Sequence, residues 1–415
     1  MMPKPKMQIL LIFLCLTIPL SHGCVTWDAN LDHDIEANLN RRGVANPPEQ
    51  LPKTGITNVQ YFDGISFVPG AVAMENGMVT FDLHDVTNWI DGEHGFLLPG
   101  LIDSHCHPAA IVDLELLSSY GITTAMSMSC PSYPLCASLR DQPGLTSFFT
   151  ASRSAVGPNS SHAIALQMPP DSWVSSPSQA PQYIAEAFAN NSDYIKIIAE
   201  KNGVPQDAQN ALVELTHQRG KQSMTHAVTI VSYLQAIQSQ TDGIQHTPGD
   251  GYITQSMLHD IQKFNQFVTP TTVIVKAFLS NSDSLARSDY HNNSWPIVVE
   301  NVKRLHRARV PLLVGTDAIP NTGLAATLVH NPLGSTLHEE LEVLVNEVGI
   351  APAEALRAAT SLPAKLHQLY DRGLIMEGKR ADLLLLNSNP LLNISATRDI
   401  ARVWNGGIEY IPLMK

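Results

Sequence analysis

The chain has 415 residues, 44% hydrophobic and 15% charged, with a formal net charge of −12. Those proportions describe a globular protein long enough for one large and one small domain, and exclude a disordered or fibrous chain. The acidic balance argues against nucleic acid, which selects a basic surface, and says little about substrate.

Lys4 and Lys6 precede an apolar run from Ile9 to Leu20, and Ser21-His22-Gly23 sets small residues before Cys24. This is the pattern of a secretory signal peptide over residues 1–23, too short in its apolar run to be a stable membrane anchor. Ser21 stands where a bacterial lipoprotein signal prefers Leu, which weakens that reading of Cys24. Sequons at Asn159, Asn190, Asn292 and Asn393 suit a secreted glycoprotein. Cys130 and Cys136 could pair across a short loop in an oxidising compartment, whereas Cys106 reads as a buried strand thiol.

Residues 24–54 read as an extended lead-in. Short β-type runs then follow at Ile56–Phe62, Ala71–Met74 and Val79–Leu83, and the same texture returns in Ala381–Leu386 and Ile400–Tyr410. Two β-rich ends, residues 55–98 and 373–415, predict a small β-sandwich built from both termini. Between them, residues 99–372 alternate apolar runs with amphipathic stretches. The predicted strands are Leu101–His105, Thr123–Met128, Ser147–Ala151, Tyr194–Ile198, Gln222–His226, Gly243–His246, Gln266–Thr269 and Pro311–Gly315. Ala208–Arg219, Ile230–Gln238, Ile253–Asn265 and Ile297–Ala308 carry helical spacing. The fold class is α/β, and this order predicts a (β/α)8 TIM barrel. An open doubly wound sheet is the competitor. The barrel is preferred because the candidate ligands fall at the C-terminal ends of strands, where barrel chemistry sits.

Those candidates are His105, His107, Lys196, His226, His246 and Asp317. His105 and His107 are two apart on a strand, so both rings face one side and Cys106 the other. Lys196 lies inside Tyr194-Ile195-Lys196-Ile197-Ile198, where an ammonium is costly unless paired or neutralised. Burial favours the neutral amine, which can capture CO₂ and become an anionic carbamate able to bridge two metals. A lysine snorkelling from an edge strand is the bland alternative. His226 and His246 end successive strands and suit a second metal of a pair. Nitrogen and oxygen ligands fit two zinc ions, with Mn, Co or Ni also admissible. Asp317, at the end of the eighth strand, can hold a water and shuttle its proton.

Several motifs carry a resemblance. They include Leu98-Pro-Gly-Leu-Ile-Asp-Ser-His-Cys-His107, Gly121-Ile-Thr-Thr124, Tyr194-Ile-Lys-Ile197 and Thr225-His-Ala227. Ile244-Gln-His246, Val314-Gly-Thr-Asp317, Ala353-Glu-Ala-Leu-Arg-Ala-Ala-Thr360 and Gly378-Lys-Arg-Ala-Asp-Leu383 complete them. From about Gly55 onward the chain resembles the amidohydrolase superfamily, most closely its imidazolonepropionase-like branch. That branch includes carboxylated-lysine Xaa-Pro dipeptidases and a fungal ochratoxin-hydrolysing amidase. The resemblance implies the barrel and β-sandwich, the six residues as ligands with Lys196 carbamylated, and Asp317 as proton shuttle.

Two departures bear on specificity. Ala125-Met126-Ser127-Met128 stands where relatives usually continue with Val-Arg-Asp. The loop after strand 3 reads Ser160-Ser161-His162-Ala163 in place of Gly-Gly-His-Gly, leaving His162 as a candidate substrate contact or an exposed loop histidine. Gly373–Lys379 mimics a phosphate loop but lacks Ser or Thr at Arg380, and His338-Glu339-Glu340-Leu341-Glu342 is half a zincin helix without its second histidine. The missing Gly-x-Ser-x-Gly elbow argues against a serine hydrolase. A deaminase is disfavoured because Ala227-Val228-Thr229 brings no glutamate three residues after His226. The expectation is therefore a secreted amidohydrolase acting on a small-molecule amide, such as an N-acyl amino acid or dipeptide. The alternatives are a mononuclear cyclic-amide hydrolase with uncarboxylated Lys196 and a degenerate binding protein. Homo-oligomerisation is left open.

Overall fold

The architecture follows from two kinds of apolar pattern, alternating at the chain ends and continuous in the middle. The computed structural model describes residues 51–411 apart from 283–287, 289 and 321–328. The predicted signal peptide, and the lead-in as far as residue 50, lie outside the described residues.

The end strands are β1 (Thr54–Phe62), β2 (Phe67–Glu75), β3 (Met78–Thr80), β4 (Asn88–Asp91) and β5 (Phe96–Pro99). They join β13 (Leu383–Leu386), β14 (Ile400–Asn405) and β15 (Ile408–Glu409) in one eight-stranded sheet. Its path runs β15-β14-β13-β5-β1-β2-β3, with β4 alongside β1. The predicted β-type run Val79–Leu83 gives only the three-residue β3, because the Phe81 amide turns to the Glu377 carboxylate at 2.8 Å. Gly406 and Gly407, at φ +58° and +76°, form the two-residue turn joining β14 to β15, a geometry that side chains resist. Trp404, Ile56, Val72, Leu97 and Leu385 fill the core of this sheet.

In the middle, β6 (Leu101–Cys106), β7 (Ile122–Ser127) and β8 (Ser147–Thr150) form a parallel three-stranded sheet. A parallel four-stranded sheet comprises β9 (Tyr194–Ile198), β10 (Gln222–His226), β11 (Gly243–Gln245) and β12 (Phe267–Thr269). Helices such as Ile111–Ser119, Gln206–His217 and Ile230–Ser239 supply the crossovers that parallel pairing requires. Buried on both faces, β9 is apolar throughout except for Lys196. Ala151 bridges Tyr194 between the two sheets.

The expected eighth strand, Pro311–Gly315, departs from regularity. Only isolated bridges form there, Leu312 to Val268 and Ala318 to Cys106. Its amides find scattered partners: Leu313 donates to the Val268 carbonyl, Val314 to Ala358, and Thr316 and Asp317 both to His105. Pro311 brings no N–H, and a Cβ at Gly315 would lie 2.4 Å from the Thr269 side chain and 2.9 Å from the His105 amide. The segment is therefore held by individual contacts to three elements instead of one ladder.

Cys130 and Cys136 form a disulfide, and Cys106 is a buried free thiol. All four sequon asparagines are exposed. Among the described residues no helix is long and apolar enough to cross a membrane. His338 is a buried structural residue of the helix Ser335–Glu342, bonded to Thr397 at 2.9 Å and to the Tyr120 carbonyl at 3.1 Å. In the phosphate-loop mimic, Gly378 donates its amide to the Val79 carbonyl at 2.9 Å, which commits that backbone to the sheet.

Because Trp404 is 1% exposed at the centre of the terminal sheet, Trp404→Ala should cost about 3–5 kcal/mol of unfolding free energy. Urea denaturation measures this. Metal binding by the folded variant should be unchanged, since the tryptophan touches none of the strand ends described next.

Candidate metal centre

Five of the six candidate ligands sit on or just beyond a parallel strand, whose geometry aims them; Asp317 is the sixth. His105 is the penultimate residue of β6 and His107 follows its end, with ring centroids 5.4 Å apart. The backbone alternation that turns both rings to one side carries Cys106 to the other, where burial pushes its thiol well above the ordinary value. Asp317 arrives from the irregular eighth segment in a left-handed conformation, φ +54°. Its Oδ1 lies 3.2 Å from His105 Nε2 and 2.8 Å from His107 Nε2. His105, His107 and Asp317 are all buried, and their ligand atoms lie within 4.8 Å of one another.

The remaining candidates extend this cluster. His246, just past β11 at φ +74°, places its ring 4.9 Å from that of His105. His226, the last residue of β10, lies 4.4 Å from His246. His162 then lies 4.6 Å from His226, giving a continuous run of five imidazoles. Lys196, central in β9 and fully buried, is paired in register with Met224 of β10. Its charge reaches His105, His226 and His246. The structure thus brings all six candidate ligands to one side of the strand ends, with His162 beside them.

Burial dominates the electrostatics. It drives His105 down to about 3, with the Lys196 charge adding to the effect and Asp317 opposing it. Burial, then the neighbouring rings, also holds His226 well below its ordinary value. His246 is held down in the same way by burial, against the pull of Asp317. Burial opposes ionisation of Asp317, but the surrounding rings of His105, His107 and His246 outweigh it and keep the carboxyl well below the carboxylate range. These are neutral nitrogen donors beside an anionic oxygen, the protonation states in which a divalent cation is bound.

The residues fit a metal. Among the described residues, Asp317 Oδ2 and both ring nitrogens of His226 are buried without a hydrogen-bond partner, a cost that ligation would remove. Two rings are also oriented from behind. His105 Nδ1 lies 2.8 Å from Gln245 Oε1, and His246 Nδ1 lies 2.8 Å from Thr271 Oγ1. A ring that donates Nδ1–H to such an acceptor keeps its Nε2 lone pair for a metal.

Sequence reasoning left several supporting residues unassigned. Asp103 accepts from the His105 amide, the Thr316 amide and the Thr316 hydroxyl, at 3.1, 3.2 and 2.7 Å. Asn331 Nδ2 donates to the Thr316 and Asp317 carbonyls at 3.0 and 2.9 Å. Glu200 accepts from the His162 amide at 3.0 Å and pairs with its Nδ1 at 2.9 Å. Asp103 lies in the first histidine motif and Gln245 next to His246, so position alone could have drawn attention to them. Glu200 and Asn331 carried no local signal. The reading of His162 as an exposed loop residue is corrected: it is 1% exposed, because Glu200 draws it inward.

Comparison with known proteins agrees with this geometry. The family model described as "Amidohydrolase family" matches residues 96–410. An imidazolonepropionase from Pyrobaculum arsenaticum is 36% identical over 84 residues, which are 20% of this chain and 19% of that protein. The matched stretch therefore spans about a fifth of that relative's length. A Xaa-Pro dipeptidase solved with bound methionine in its active site superposes with TM-score 0.73 at 19% identity, over 86% of this chain and 100% of that one. A putative prolidase from Bifidobacterium longum gives TM-score 0.74 at 22% identity, over 88% and 97%. An A. niger ochratoxinase gives 0.71 at 15% identity, over 88% and 96%. These structures share a TIM-barrel-type α/β fold with this chain.

The depressed histidines have a pH consequence. A ring whose folded value lies below its ordinary 6.5 leaves the unfolded chain binding a proton that the folded chain refuses, so stability falls as pH drops below about 6.5. In metal-depleted protein, His226→Gln removes one such proton. The slope of unfolding free energy against pH should flatten by up to about 1.4 kcal/mol per pH unit as pH falls below about 6.5. Denaturation at a series of pH values measures this, and an unchanged slope would mean that the ring is charged in the folded state.

Proposed function

The chain belongs to the amidohydrolase family, and on that premise we propose a secreted binuclear amidase that cleaves an N-acyl amino acid or dipeptide-like substrate. Membership makes it a metal-dependent hydrolase acting on carbon–nitrogen bonds. The observation that carries the finer reading is the contact of Asp317 Oδ1 with both His105 and His107, beside His226, His246 and the buried Lys196.

In this proposal, His105, His107, Asp317, His226, His246 and a carbamate on Lys196 would together hold two divalent ions. Zinc suits the nitrogen-rich set. The bound ions supply acidification of a water and polarisation of the scissile carbonyl. The chain's own residues do the rest. Asp317 Oδ2, with no partner, takes a proton from the water as its oxygen adds to the carbonyl carbon, then returns it to the departing nitrogen as the C–N bond breaks. One water is consumed, and a carboxylic acid and an amine leave. His162, oriented by Glu200 beside His226, contacts the substrate. The bridges Ala151–Tyr194, Val268–Leu312 and Cys106–Ala318 support closure of a (β/α)8 barrel around this chemistry, capped by a β-sandwich from both termini.

Secretion rests on the Lys4-to-Gly23 pattern, and the exposed sequons and the Cys130–Cys136 disulfide are compatible with it. The test uses full-length protein secreted from a eukaryotic host. Two equivalents of transition metal and hydrolysis of an N-acyl amino acid or Xaa-Pro dipeptide are expected. Lys196→Ala and Asp317→Asn should each lower kcat/KM by about 10²–10⁴-fold. One equivalent of metal, with activity only on cyclic amides and retained in Lys196→Ala, would instead establish the mononuclear reading. Metal-free protein inactive on the whole panel would overturn both.

A further inference from the structure

A second buried carboxylate lies behind the site, outside the proposed machinery. Glu340, on the helix Ser335–Glu342, is 0% exposed and has no cation against it among the described residues. Its oxygens accept the Thr272 amide at 3.0 Å, the Thr272 hydroxyl at 2.7 Å and the Val273 amide at 2.9 Å. Those amides open the helix Thr272–Leu279, where donors otherwise lack partners. Glu340 therefore caps this helix from another element.

That arrangement changes what Thr271 can do. A threonine preceding a helix normally turns its own hydroxyl onto the helix amides. Here Thr271 makes no such bond; it adopts φ +47°, ψ +47°, an uncomfortable conformation for a β-branched residue. Its hydroxyl points instead to His246 Nδ1, at 2.8 Å. With Glu340 occupying the amides, the hydroxyl is available to the ring, and the strained backbone that aims it is held in place.

Resting on the metal-hydrolase reading above, we propose that Glu340 is a positioning residue for His246, acting through Thr271 to fix the tautomer and ring orientation in which His246 binds metal. It touches neither metal nor substrate. Its effect belongs in metal affinity, with catalysis following from occupancy.

Full-length protein is stripped of metal and titrated with zinc against a chelator indicator, with thermal unfolding of the stripped form recorded in parallel. Glu340→Gln, which cannot accept all three bonds, should weaken zinc binding by about 10–100-fold, as should Thr271→Val. Thr271→Ser, which keeps the hydroxyl, should bind within about threefold of the parent. Because the two residues act in series, Glu340→Gln with Thr271→Val should be little worse than either alone. Glu340→Gln that lowers thermal stability but leaves zinc affinity intact would overturn the proposal, as would Thr271→Val with unchanged affinity. Should Glu340→Gln fail to fold, the Val and Ser variants of Thr271 still decide. Parent protein that binds no zinc would remove the metal-hydrolase reading and this proposal together. Parent that binds zinc beside unaffected variants would remove only this one.

Discussion

The site depends on Asp103. This fully buried carboxylate joins the end of β6 to the irregular eighth segment through the His105 amide, the Thr316 amide and the Thr316 hydroxyl. No regular ladder is available there to set the distance between His105 and Asp317. Burial pushes Asp103 up to about 7 against the pull of the same three donors. A buried carboxyl costs solvation, and here its hydrogen bonds offset that cost while organising two ligands from segments far apart in the sequence. Asn331 completes the arrangement by holding the Thr316 and Asp317 carbonyls, with Asp317 in its left-handed conformation and its Oδ1 against His105 and His107.

A recurring device follows from this constraint. Asp103 fixes His105 and Asp317, Gln245 orients the His105 ring, Thr271 orients His246, and Glu200 orients His162. The rings of His105, His246 and His162 are thereby aimed by polar groups that are themselves buried. Orientation from behind matters because the ring run His107–His105–His246–His226–His162 is tightly spaced, and a rotated imidazole would lose its place in it. His226 and His107 lack such support: neither His226 nitrogen nor His107 Nδ1 has a hydrogen-bond partner among the described residues.

Local patterns made the candidate ligands legible. A strand buried on both faces must be apolar, so Lys196 within Tyr194–Ile198, and histidines closing Gln222–His226 and Gly243–His246, stood out against their surroundings. The helices were readable for the same reason, to within a few residues at their ends. Regularity misled at Pro311–Gly315, where the apolar run is real but proline, a crowded glycine and scattered acceptors replace a strand. The supporting polar groups were less visible because their partners lie far away in sequence: Gln245 is 140 positions from His105, and Thr316 is 213 from Asp103. Neither spacing nor periodicity carries such information; only the folded arrangement brings these groups together.

The departure at Ala125-Met126-Ser127-Met128 acquires a physical meaning in this setting. Similar proteins usually read Val-Arg-Asp at these positions; here the end of β7 carries Ala125-Met126-Ser127 and leads into a disulfide. Ser127 Oγ donates to the Ser129 carbonyl at 3.2 Å, Ser154 Oγ donates to Ser129 Oγ at 3.1 Å, and Cys130 is pinned to Cys136. Met128 returns its amide to the Cys106 carbonyl at 3.1 Å, keeping the backbone beside the histidine motif. This wall therefore holds its shape by covalent and neutral hydrogen bonding in place of an ion pair.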